Sequence, residues 1–61
     1  MIQCKLKGPD EVDGHHFYFS TVPRYCERIV APKLTDKKMR VIEVLYSANS
    51  TIVTLYVEFI A

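Results

Sequence analysis

Eight Lys and Arg against seven Asp and Glu leave this 61-residue chain a net charge of +1, and 49% of it is hydrophobic. Half-apolar composition excludes a disordered chain, and near-neutral charge excludes a general electrostatic pull toward nucleic acid or membrane surfaces. No apolar run reaches the roughly 20 residues of a membrane-spanning helix, so no membrane partner is expected. Met1-Ile2-Gln3-Cys4-Lys5 has neither the apolar core nor the cleavage site of a signal peptide. A cytoplasmic protein with both cysteines as thiols is therefore expected. Residues 1–61 make one domain near the lower limit of what folds unaided, since a chain of this size buries only about 60% of the surface its unfolded form exposes. Such chains lean on a disulfide, a metal or a partner subunit.

Ile2 to Lys7 alternates without exception, Ile2, Cys4 and Leu6 inward against Gln3, Lys5 and Lys7 outward. This is a half-buried strand whose lysines also protect an edge from foreign pairing. Gly8-Pro9-Asp10 stops it, and Asp10, Glu11 and Asp13 with Gly14 read as a solvated loop. His15 to Val22 resumes strand character, with Phe17, Phe19 and Thr21 on one face and His16, Tyr18, Ser20 and Val22 on the other. The stretch Val22 to Glu27 is a turn, because Pro23 presets φ and lacks the N–H that a central ladder needs. It enters a strand over Arg28 to Ala31 that Pro32 closes, and Lys33 to Lys37 is a polar connection.

The last third carries the strongest pattern. The segments MRVIEVLY and TIVTLYVEFIA are rich in Val, Ile, Thr, Tyr and Phe, side chains that lose rotamer freedom in a helix but pack well on a pleated surface. Ser47-Ala48-Asn49-Ser50 joins them as a hairpin loop, since Asn tolerates positive φ. In the second segment Val53, Leu55, Val57 and Phe59 form one apolar face, and Ile52, Thr54, Tyr56, Glu58 and Ile60 an amphipathic one. In the first, Ile42, Val44 and Tyr46 share a face with Arg40, and Met39, Val41 and Leu45 share the other with Glu43. Neither face is cleanly polar, which suits a central strand.

Five short strands without a helical pattern imply an all-β protein, a small five-stranded antiparallel meander or barrel. The segments V-P-R-Y-C-E-R-I-V, K-M-R-V-I-E-V-L-Y-S and T-I-V-T-L-Y-V together resemble a pattern in small bacterial SH3-like barrel proteins of unknown function. There, P-x-x-G-[DE]-x-[IV] starts a strand and V-x-x-V-x-[YH] follows. The resemblance spans Val22 to Val57, with Cys26 standing where the pattern has glycine. It implies a fold and no activity, because such barrels host many functions.

No residue set specifies a reaction. Cys4, Cys26, His15 and His16 lack the paired spacing of a zinc site, and they read as two buried thiols and two surface imidazoles, with no cofactor implied. A Cys26–histidine nucleophile pair would need an orienting third group and an oxyanion site that nothing supplies, so no enzyme is expected. An interaction module fits better. Tyr18, Arg24, Tyr25, Arg28, Lys38 and Arg40 are the candidate partner-binding residues, for a protein or peptide on exposed aromatics or, alternatively, a single-stranded nucleic acid on the basic and aromatic segment 17–40. Ile52, Tyr56 and Ile60 form an outer patch that a homodimer would cover. A small-molecule pocket at the dimer seam is a third alternative.

Overall fold

In the computed structural model, which describes residues 1–60, five strands follow one another without a helix: β1 (Ile2–Lys7), β2 (His16–Phe19), β3 (Arg28–Val30), β4 (Lys38–Tyr46) and β5 (Val53–Phe59). They form one sheet in the order β2-β1-β5-β4-β3, curled into a half-barrel. Ala61, the last residue of the expected C-terminal strand, lies outside the described residues.

The sheet is mixed, which corrects the expected antiparallel meander. β1–β2, β3–β4 and β4–β5 run antiparallel, but β1 lies parallel to β5, Leu6 beside Leu55. After the first hairpin the chain crosses through residues 20–27 to the far edge and meanders back, which brings β5 alongside β1 in the same direction. Side-chain alternation specifies which faces are apolar but says nothing of which strands become neighbours.

The inward faces of β1 and β5 are those the alternation indicates. Cys4, Leu6, Val53, Leu55 and Val57 are buried, with Ile2, Phe17, Phe19 and Phe59 packed against them. In β4 the alternation changes phase. Val41 pairs with Val57 and Glu43 with Tyr56, leaving Ile42 as the extra residue of a β-bulge. Met39, Val41, Val44 and Tyr46 therefore share the inner register, and Arg40, Glu43 and Leu45 the outer one. This corrects the faces read from strict alternation. β2 also stops at Phe19, short of the expected Val22, because Phe19 pairs with Ile2 at the start of β1 and no strand continues beyond it.

Two loops close the concave side. The acidic loop is not wholly solvated: backbone bonds from Val12 N and Asp13 N to Pro9 O, 3.0 and 2.9 Å, fold it back and bury Val12 completely. Gly8 makes this possible. Its φ is +139° and an added Cβ would lie 2.4 Å from the Val57 carbonyl oxygen, so the loop can approach β5 only without a side chain there. The second loop turns at Ala31, whose carbonyl accepts from Leu34 N and Thr35 N. Lys37 Nζ joins the two loops, 3.1 Å from Glu11 Oε1 and 4.7 Å from the centre of the Phe59 ring.

Candidate functional site

Strand lengths decide where surface is left unsatisfied. β3 has three residues and β4 nine, and their pairing covers Lys38 to Arg40. Two further bonds, Cys26 N to Val41 O at 2.7 Å and Val41 N to Glu27 O at 2.9 Å, extend the ladder to Val41. Beyond it, no backbone hydrogen bond joins residues 22–25 to residues 42–46 among the described residues. The outer edge of β4 from Ile42 to Tyr46 is thus open.

A turn steers the chain away from that edge. Glu27 N donates to Arg24 O at 3.0 Å, and Cys26, third of the four residues, has φ +71°. Positive φ at that position alone defines a type II turn, whose third residue is ordinarily glycine. Cys26 adopts the left-handed backbone itself. The Glu27 carboxylate accepts a hydrogen bond from Arg24 N and locks the turn. Cys26 is exposed, which corrects its reading as a buried thiol; Cys4 is buried, and both are unpaired. Burial pushes the Cys4 thiol pKa up.

Between the segment 22–25 and β4 lies a groove of about 530 Å³, lined by Val22, Pro23, Arg24 and Tyr25 from the one and by Ile42, Glu43, Val44 and Tyr46 from the other. That volume is within the usual range for binding clefts, roughly 300–1,000 Å³. Tyr25 is 69% exposed and Tyr46 67%. Covering a large apolar side chain fully gains about 1.5–3 kcal/mol, so two rings and Ile42 offer a partner several kcal/mol. Hydrogen bonding to Cys26, then the charge of Cys26, push the Tyr25 phenol above its usual pKa; Arg40 and Glu58 are also within electrostatic reach. Neither Arg24 nor Glu43 forms an ion pair among the described residues.

No family model, curated protein or solved structure matches this chain.

The six candidate binding residues do not converge on one site. Arg24 and Tyr25 line the groove. Arg28 and Arg40 are direct cross-strand neighbours on the outer face, and Lys38 is paired with Val30. Arg40 donates to the Glu58 carboxylate through Nε at 3.0 Å and through Nη2, and this partner raises its pKa further. Tyr18 is opposite Gln3 on β2, at the other end of the strand order. Ile52, Tyr56 and Ile60 are half-buried, and Tyr56 lies between Lys7 and Glu43. Of the β4 groove residues, Ile42, Val44 and Tyr46 were expected beside the Ile52, Tyr56 and Ile60 patch, and Glu43 was not singled out by sequence reasoning. The available signal was the mismatch between a four-residue strand at 28–31 and an eight-residue one at 39–46.

Proposed function

We propose that this chain is a non-enzymatic interaction module that takes an extended segment of a protein partner along the open edge of β4. The observation that carries the reading is the coincidence of an unpaired outer edge of β4 from Ile42 to Tyr46, on the side away from β5, with a groove flanked by two exposed tyrosines. An added strand satisfies the backbone, and its alternate side chains enter the groove between the Tyr25 and Tyr46 rings. Kinship with small bacterial SH3-like barrels belongs to the same proposal, supported by the curled five-stranded sheet and by positive φ at Cys26, where their pattern has glycine.

Selection of random peptides displayed on phage, followed by amide shift mapping with the selected peptides, tests the reading. Shifts concentrated at Ile42 to Tyr46 and at Tyr25, and weaker binding by Tyr25→Ala, are expected. Selected peptides that map to the β2 edge or the outer face would refute it.

Arg28 facing Arg40 favours a second reading, because like charges directly opposite are destabilising and a polyanion would relieve them. Steep salt dependence of oligonucleotide binding, lost in Arg28→Ala, would support that alternative. Glu58 already compensates Arg40, and Glu43 sets an anion in the groove. The protein partner is the better fit.

A further inference from the structure

We infer that the segment occupying the open edge is the same edge of a second copy of this chain, the two β4 strands pairing antiparallel about a two-fold axis at Val44. This rests on the reading of the groove as a docking surface and names its occupant.

Edge strands are ordinarily blunted by shortness, lysines, proline or cover. β2 and β3, with four and three residues, are protected by shortness. The distal half of β4 is not short, and Ile42-Glu43-Val44-Leu45-Tyr46 holds no Lys and no Pro; its blunting devices are the bulge at Ile42 and the single charge of Glu43, and Ile42, Leu45 and Tyr46 are exposed. With Tyr25 across the groove, four of the seven exposed large hydrophobic residues lie on or beside this open stretch of β4.

Charge selects the occupant. A two-fold contact presents the same patch from both sides, so the patch must complement itself. The groove carries one cation and one anion, Arg24 and Glu43, each without an ion pair in its own chain among the described residues. Pairing about Val44 places Ile42 opposite Tyr46 of the other copy, Glu43 opposite Leu45 and Val44 opposite itself. No like charges face directly, and each Glu43 enters the groove that the other copy's Arg24 lines. A 61-residue chain with little core of its own also gains from a partner subunit.

The test is sedimentation equilibrium of the full chain from micromolar to millimolar concentration, with amide exchange and a charge swap. The expected mass is twice the 7.1 kDa of the chain, with protection that rises with concentration at those amides of Ile42 to Tyr46 that face away from β5. Glu43→Lys and Arg24→Glu should each weaken association about tenfold, and the double variant should restore it. Tyr56→Lys on the outer face should leave it unchanged. A dimer in which the β4 amides that face away from β5 exchange freely, or one dissolved by Tyr56→Lys and not by Glu43→Lys, would overturn the edge contact. A monomer throughout that still takes the selected peptides at Tyr25 and Tyr46 would overturn the second copy and leave the docking surface standing; a monomer that takes none would overturn both.

Discussion

Replacing Cys26 by glycine should stabilise the protein. Cys26 has φ +71°, and an L side chain in the left-handed region costs roughly 1–2 kcal/mol. Glycine removes that strain but adds about 0.5–1 kcal/mol of chain entropy to the unfolded state. The Cys26 side chain is exposed, so its loss forfeits little burial, and the net gain is about 0.5–1 kcal/mol. Cys26→Ala keeps the strained backbone and should stay within about 0.5 kcal/mol of the parent, which separates the thiol from the backbone. Cys26→Val, branched at Cβ, should cost about 1 kcal/mol or more because bulky residues tolerate positive φ worst. Urea unfolding at one fixed protein concentration reads the series, since association shifts apparent stability by mass action; midpoints should move at constant slope. A glycine variant no more stable than the alanine variant would refute the reasoning and show the turn to be unstrained.

Val12→Ala should cost about 2 kcal/mol in the same assay, because the acidic loop lodges a fully buried side chain in the core; a surface-like loss under about 0.5 kcal/mol would contradict that. Gly8→Ala should destabilise by about 1–3 kcal/mol, since both the positive φ and the Val57 carbonyl oppose a side chain. Native protein should react with one equivalent of a thiol reagent, at Cys26, while Cys4 reacts only on unfolding because it is buried and its thiol pKa is raised; equal rates would count against the packing of β1. The hydrogen bond from Lys37, then that from Thr35, hold the Glu11 carboxyl below its usual range. A lowered folded-state pKa contributes stability above the unfolded value and loses it as pH falls through the folded one. The stability difference between parent and Glu11→Gln should therefore vanish on acidification, and a difference that persists in acid would remove Lys37–Glu11 as its source.

Much of the fold was legible because two strands alternate without interruption. The inward set of β1 and that of β5 follow from period two alone, since a pleated strand has only two faces and one of them is apolar. Asn49, chosen for its tolerance of positive φ, has φ +63° in the β4–β5 connection. β4 defeated the same logic at one residue: the bulge at Ile42 moves Val44 to the core side and Glu43 and Leu45 outward, and a bulge is a property of pairing that strict alternation cannot express. Val12 was hidden for a related reason, as one apolar residue among acids looks solvated until the Gly8 approach shows where the loop lies.

By itself, the order of residues determined that this chain is built of strands, which faces of β1 and β5 are greasy, and where turns interrupt them. These follow from side-chain shape, alternation and the backbone preferences of Pro, Gly and Asn. Only the tertiary structure decided that β1 runs parallel to β5, that Cys26 supplies a glycine-like turn, and that β4 outreaches β3 to leave an edge beside Tyr25 and Tyr46. Each of those depends on which strands become neighbours and how far each partner extends. That is a property of long-range pairing, and local periodicity carries no record of it.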